Sequence, residues 1–216
     1  MLKRFVILCV LATLVATAPA CIFDPKGGDG GGGGDPPITF LPLTSRENVI
    51  LNVEKAYNAR RIDKYDQALD ENFTFFLSTG DIRHGLPDQW DRATEILYNT
   101  RLFDKNYAIL PCQSIFMDIK IEDGIQWTEV VPESAPDEKW YSTQGIYYNF
   151  KFEISPNTYF PLPGSKVVFT VRNDGTETDP HWQLVELRDL GGQSFSTMSS
   201  ASTENSTWGQ VKSLYR

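Results

Sequence analysis

A glycine-rich segment at residues 24–37, with the sequence DPKGGDGGGGGDPP, limits where a folded domain can lie in this chain. Such a stretch has almost no apolar side chains to bury, so nothing offsets the conformational entropy lost on folding. A flexible coil of about 15 residues spans roughly 20 Å on average and at most about 50 Å when extended. The sequence therefore predicts a disordered tether at residues 21–37 and one folded domain that begins near Ile38.

The residues before the tether have the pattern of an export signal. Lys3 and Arg4 precede an apolar stretch of 12 residues at 5–16, which is shorter than the roughly 20 residues that cross a bilayer. Small residues then lead to a cysteine, in the order Ala18, Pro19, Ala20 and Cys21. This segment resembles the lipobox of bacterial lipoproteins, although a larger aliphatic residue usually stands at the position of Ala18. The resemblance implies a signal peptide at 1–20 and lipid attachment at Cys21. Ordinary secretion with cleavage near Ala20 is the alternative.

A lipid at Cys21 would place the chain in the cell envelope, anchored to a membrane. In a Gram-negative host this is the outer membrane or a periplasm-facing surface. The formal charge of the chain is −8, and loss of Lys3 and Arg4 with the signal would leave −10. An acidic surface disfavours nucleic acid as a partner, and the charge offers no attraction to anionic lipid. Membrane attachment would therefore depend on the lipid.

The rest of the sequence offers few residues for a disulfide or a metal site. With Cys9 removed in the signal and Cys21 acylated, Cys112 has no partner for a disulfide. A Cys21–Cys112 disulfide is the alternative in an oxidising compartment. Cys112 lies among apolar neighbours, which favours a small buried side chain over a nucleophile. The sequence has two histidines far apart and no pair of cysteines at the spacing of zinc ligands. We therefore expect neither a metal nor a cofactor.

Helical spacing dominates the first half of the domain. Thr44 and Glu47 have the spacing of a capping box, with Thr44 as N-cap. A shorter helix is predicted from Asp63, a strand at 72–78 and a loop at 79–86. Pro87 is predicted to open a second long helix. The predicted inner positions of the first long helix are Val49, Val53, Ala56 and Tyr57, and those of the second are Trp90, Ala93, Ile96, Leu97 and Phe103.

Alternating apolar residues dominate the second half and predict strands near 115–121, 140–154, 167–171 and 182–188. The tail at 191–216 is rich in serine and threonine and ends in a short amphipathic helix. Its apolar residues are Trp208, Val211, Leu214 and Tyr215. A helix this short is unstable alone in water. It must dock on its own domain, on a second subunit or on a partner.

Helices followed by strands predict an α+β fold. This order, the Ala56-Tyr57-Asn58 sequence with Tyr65 and Leu69, and the closing Trp182-Gln183-Leu184 resemble the cone-shaped NTF2-like fold, which includes SnoaL-like and ketosteroid-isomerase-like proteins. The resemblance covers about residues 45–190 and extends to uncharacterised NTF2-like lipoproteins of bacteria. It implies N-terminal helices packed on a curved antiparallel sheet, in a domain at 38–190.

The resemblance also implies an apolar cavity between the sheet and the long helix. The candidate pocket residues are Phe75, Trp90, Ile146, Tyr148 and Phe169. Each of them could equally be a plain core residue. The catalytic patterns of the isomerase-like and dehydratase-like relatives do not match this sequence residue by residue. His84 and Asp81, in the predicted 79–86 loop, are the remaining catalytic candidates, and solvated loop residues are the alternative.

The sequence therefore favours a lipid-tethered domain without catalytic activity. We expect it to bind a small apolar ligand through its cavity, or a protein partner through the cavity or the sheet face. A homodimer is possible through that face. The alternative is an enzyme of the isomerase or hydro-lyase type that acts in the cavity.

Overall fold

Five helices and eight strands make up the part of the chain that the computed structural model describes, which is residues 38–83, 85–121, 124–133, 136–155, 158–192 and 207–216. The helices are α1 Arg46–Ala59, α2 Ile62–Ala68, α3 Thr79–Arg83, α4 Arg92–Phe103 and α5 Trp208–Ser213. The strands are β1 Leu69–Phe76, β2 Gln89–Asp91, β3 Ser114–Ile119, β4 Trp127–Val130, β5 Trp140–Thr143, β6 Ile146–Ser155, β7 Thr158–Asn173 and β8 Trp182–Gly192.

All eight strands belong to one sheet, in which β2, β1, β8, β7, β5 and β4 are neighbours in that order. The long strand β7 pairs with β6 along its first part and with β5 near its end, and β3 pairs with β6. Every pair is antiparallel except β1 with β8, which is parallel. Register shifts in the β7–β8 pair bend the sheet, because a bulge adds local twist.

The helices cover one face of this curved sheet. α1 contacts α2, β3 and β8, whereas α4 contacts α2 and β1. α5 packs against α4 and β8. The predicted α+β architecture, with N-terminal helices on a curved and mainly antiparallel sheet, is confirmed.

The start of α1 differs by one residue from the predicted capping box. Ser45 is the N-cap, and its hydroxyl oxygen accepts a hydrogen bond from the backbone N–H of Asn48 at 3.2 Å. Thr44 is exposed and lies one residue too early for this role. The predicted inner positions of the helix are all buried, namely Val49, Val53, Ala56 and Tyr57.

The predicted inner face of the second long helix is correct only in part: Phe103 is buried and Ile96 packs partly buried against the core. α4 begins at Arg92 with Asp91 as N-cap, so Trp90 lies in strand β2 and not in the helix. Leu97 is 46% exposed, and Ala93 is exposed as well. The buried residues of α4 are Glu95, Asn99, Leu102 and Phe103. Counting apolar residues alone therefore included the exposed Ala93 and Leu97 and left out the buried polar residues Glu95 and Asn99.

Two further elements differ from the sequence pattern. The predicted loop at 79–86 contains the short helix α3. The predicted strand at 140–154 is divided at Gln144 and Gly145 into β5 and β6. The division allows the two pieces to pair with different parts of β7.

Within the described ranges, no helix has both the length and the apolar character needed to cross a membrane. Residues 1–37, which include Cys21, lie outside those ranges, and so does His84. The signal peptide, the lipid attachment and the tether stay predictions.

Candidate functional site

The C-terminal helix α5 occupies the interior between the other helices and the sheet. Trp208 is fully buried, and its ring centroid lies 5.4 Å from those of Tyr57 and Tyr148 and 6.0 Å from that of Phe75. Val211, Lys212 and Tyr215 of the same segment are buried too. Of the three docking alternatives for this helix, the structure has the first, in which it packs on its own domain.

Two of the five candidate pocket residues, Phe75 and Tyr148, contact Trp208, and a third, Trp90, stacks on Phe75. Phe75 of β1 stacks on Trp90 of β2 with 4.8 Å between ring centroids, because the two residues are opposite each other in register. Tyr148 contacts Trp208 from β6. Phe169 is buried in the same hydrophobic core, whereas Ile146 is only half-buried and lines a groove at the surface.

The carboxylate of Glu95 lies at the centre of this interior and is fully buried. Its Oε1 accepts hydrogen bonds from the Tyr65 hydroxyl at 2.5 Å and from Asn99 Nδ2 at 2.8 Å. Its Oε2 accepts a hydrogen bond from Trp90 Nε1 at 2.7 Å. A buried carboxylate is tolerated only when its oxygens are satisfied in this way. Donors from α2, α4 and the middle of β2 therefore fix its position.

The side chain of Lys212 brings a cation to this carboxylate. Its Nζ donates to Glu95 Oε1 at 2.6 Å, and both side chains are shielded from solvent. Nζ also lies 3.7 Å from the ring centroid of Phe75 and 4.5 Å from that of Trp208. Aromatic faces attract an ammonium ion through the ring quadrupole. Burial lowers the pKa of Lys212 to about 8, and Glu95 acts in the opposite direction.

A chain of hydrogen bonds links α5 to the same centre through α1. Trp208 Nε1 donates to the Tyr57 hydroxyl at 3.2 Å, and that hydroxyl donates to Asn99 Oδ1 at 2.5 Å. Burial raises the pKa of Tyr57 and of Tyr65 well above the usual value, and the negative charge of Glu95 adds to the shift. Both phenols therefore stay protonated and serve as donors.

Asp81, one of the two catalytic candidates, holds the start of α5. Its Oδ1 accepts a hydrogen bond from the hydroxyl of Thr207 at 2.6 Å, and its Oδ2 accepts one from the backbone N–H of Ser78 at 3.2 Å. Thr207 is the N-cap of α5. At Gly209 an added Cβ would lie 2.9 Å from Asp81 Oδ2 and 3.2 Å from Leu77. Only glycine lets α5 approach this closely.

A second buried carboxylate, Asp189 of β8, also contacts α5. It accepts hydrogen bonds from the backbone N–H groups of Gly191 at 2.9 Å and Gly209 at 3.1 Å. Burial raises the pKa of Asp189 from 3.8 to about 6, although these two hydrogen bonds oppose the shift. The interior thus combines three buried carboxyl groups with the ammonium of Lys212.

Replacing Asp189 with asparagine is expected to change how stability depends on pH. The folded state binds the proton of Asp189 more tightly than the unfolded state, so the group contributes stability below pH 3.8 that is lost as pH rises through about 6. The difference in unfolding free energy, native minus Asp189→Asn, should fall by up to about 3 kcal/mol between pH 3.5 and 7. Urea unfolding across this range measures it. Asp88→Asn, at an exposed side chain, is the control, and a flat difference for Asp189→Asn would contradict the assignment.

Sequence reasoning missed Glu95, Asn99, Asp189 and Lys212. The available signal was spacing: Glu95 and Asn99 lie at i and i+4 on the face that also carries Leu102, and Trp208 and Lys212 have the same separation. Among the described residues, no group of three or more His, Cys, Asp or Glu side chains is arranged to hold a metal ion. The arrangement holds the ammonium of Lys212 between the carboxylate of Glu95 and the ring face of Phe75.

No protein-family model and no curated protein matches this chain. Solved structures resemble it at low identity. A putative calcium/calmodulin-dependent protein kinase type II association domain from Thiobacillus denitrificans is 12% identical, with a TM-score of 0.43, covering 69% of this chain and 96% of that one. An NTF2-like protein of unknown function from Pseudomonas putida is 9% identical, with a TM-score of 0.41 and coverage of 72% and 89%.

An NTF2-like protein from Cytophaga hutchinsonii is 10% identical, with a TM-score of 0.38 and coverage of 67% of this chain and 97% of that one. NTF2-like proteins are thus among the structural neighbours of the chain. The fold class itself rests on the element order and strand pairing of this chain.

Proposed function

We propose that this chain is a lipid-anchored protein of the bacterial cell envelope whose α+β domain binds a small, largely apolar ligand in its interior. Binding and the docking of α5 exclude each other in this proposal. One observation carries it: the aromatic interior holds the side chains of a short helix that is unstable alone, in the way that a binding site holds a ligand. Within the described part of the chain, the interior polar groups form hydrogen bonds with one another and match no recognised catalytic set, which favours binding over catalysis.

The side chain of Trp208 fills the interior, which explains why predicted pocket residues are buried although they lie together. Phe75 and Tyr148 contact a side chain, Trp208, that belongs to a separate segment, and Trp90 stacks on Phe75. Residues 193–206, which join β8 to that segment, are outside the described ranges. Local release of α5 would open the interior without breaking a strand pair of the sheet.

The interior site can be tested by displacing α5 sterically. Gly209→Val adds side-chain atoms where even a Cβ lies too close to Asp81 and Leu77. We expect this variant to bind the neutral fluorescent probe N-phenyl-1-naphthylamine at least tenfold more tightly than the unaltered chain. Gly80→Val is the matched control, because a Cβ there meets only Ser78 Oγ at 3.4 Å. Equal probe binding by the two variants would count against an interior site.

The membrane anchor is tested by Cys21→Ser. The change removes the sulfur that would carry the lipid, so the protein should move from the membrane fraction to the soluble envelope fraction. Fractionation of cells with immunodetection measures this, and mass spectrometry of the mature N-terminus detects the acyl groups. Cys112→Ser is the control, since that thiol is buried in the domain. Retention of Cys21→Ser in the membrane would contradict the anchor.

A further inference from the structure

We infer that the ligand of the interior site is a primary ammonium ion on an apolar body, which takes the place of Lys212 and Trp208. The inference rests on the proposed function, since it names the chemical class that the same interior would accept. The side chain of Lys212 is itself a primary ammonium at the end of an apolar chain, and its contacts define what the site recognises.

The fixed part of the site is anionic and belongs to the domain without α5. Glu95 is held by Tyr65, Asn99 and Trp90, which occupy three of the hydrogen-bonding positions around its carboxylate. Each of these partners donates, so the two carboxyl oxygens of Glu95 are fixed beside the position of the ammonium. Release of α5 would leave the place of the Lys212 ammonium beside Glu95 open to a ligand.

The aromatic part of the site also remains when α5 is absent. Phe75 presents its face 3.7 Å from the ammonium, and Trp90 stacks behind Phe75. An ammonium ion in this place gains a charge-assisted hydrogen bond from the carboxylate and a cation–π contact from the aromatic face. A neutral group of the same shape gains neither interaction and should bind more weakly. A carboxylate ligand would be repelled by Glu95, Asp81 and Asp189, which are all buried.

Two of the contributions that hold α5 are ones that a ligand can replace, namely the ion pair of Lys212 and the buried apolar area. α5 comprises the six residues Trp208–Ser213. It is anchored by the capping hydroxyl of Thr207, by the backbone N–H of Gly209 and by the side chains of Trp208 and Lys212. A ligand with an ammonium and an apolar body would supply the ion pair and the buried area itself. It would then hold α5 away from the interior, and the peptide at 207–216 would become accessible to solvent.

The experiment uses the full chain with Cys21→Ser and three probes of equal length: hexylammonium, hexanol and hexanoate. Calorimetry measures binding to the Gly209→Val form, and hydrogen exchange of the peptide at 207–216 reports the position of α5 in the form with Gly209. We expect hexylammonium to bind at least about tenfold more tightly than hexanol, a factor typical of hydrogen bonds to charged groups. It alone should speed exchange at 207–216.

Glu95→Gln in the Gly209→Val background removes the charge while Lys212 is already outside, and it should abolish the preference for hexylammonium. Glu71→Gln, at an exposed position, should leave the preference for hexylammonium unchanged.

Equal binding of hexylammonium and hexanol would overturn the ammonium assignment and leave the proposed interior site standing. No binding of any probe, with exchange at 207–216 already fast in Gly209→Val, would overturn both. If Gly209→Val does not fold, the exchange measurement on the form with Gly209 decides: unchanged exchange with hexylammonium overturns the inference.

Discussion

Replacing Glu95 with leucine is expected to lower the free energy of unfolding by about 3–5 kcal/mol, the usual result of removing one partner of a buried ion pair. The ammonium of Lys212 would lose its counter-ion in a site shielded from solvent. The donors Tyr65 and Trp90 would lose their acceptor at the same time, whereas Asn99 Nδ2 keeps its hydrogen bond to the backbone carbonyl oxygen of residue 95. Urea unfolding at pH 7 measures the change.

The double variant Glu95→Leu/Lys212→Met separates charge from packing. Exchanging both partners for apolar side chains of similar size is often close to neutral. We therefore expect the double variant to recover the part of the loss that comes from the unpaired ammonium, while Tyr65 and Trp90 stay without their acceptor. The recovered part is the coupling energy of the double-mutant cycle. Glu71→Leu, at an exposed position, should change stability by less than about 0.5 kcal/mol. A loss below about 1 kcal/mol for Glu95→Leu would mean that the buried pair does not form.

Trp208→Ala is the second large effect, and we expect a loss of about 3–5 kcal/mol. The indole is fully buried among Tyr57, Phe75, Tyr148 and Phe150, and its N–H donates to the Tyr57 hydroxyl. Its removal leaves a large cavity and takes away the main anchor of α5. Thermal unfolding and urea unfolding both measure the loss.

Trp140→Ala is the matched control for this change, because the indole of Trp140 is only half-buried, on strand β5. The control should lose clearly less stability than Trp208→Ala. Trp208→Phe should fall between them, because it keeps an aromatic ring in the interior but not the indole N–H. A Trp208→Ala variant as stable as Trp140→Ala would mean that α5 is not docked in solution.

The order of the elements was predictable because it follows from local patterns. Helical spacing placed Val49, Val53 and Tyr57 on one buried face, and alternation located most of the strands. The division of residues 140–154 into β5 and β6 was not visible, since both pieces are β-rich and the break depends on how β7 is shared.

The interior could not be predicted, because its stability depends on residues far apart in the sequence. Glu95 resembles a surface residue of an amphipathic helix until its partner Lys212 is known, 117 positions later. Lys212 likewise resembles a solvated charge on a short helix. A pattern of apolar residues ignores both. For the same reason, the apolar pattern predicted Leu97 to be a core residue, although its side chain is exposed.

The parallel pairing of β1 with β8 has a consequence for folding kinetics. It joins residues near 75 to residues near 187, and α5 packs against both partners of the pair, since Trp208 contacts Phe75 of β1 and the helix contacts β8. Contacts between distant positions slow the search for the native state, because a long loop must close before any contact forms. The closing of the interior is therefore expected to be a late event. Substitutions in α5 should then increase the unfolding rate more than they decrease the folding rate. The contacts of α5 would therefore set how long the folded domain lasts before it unfolds.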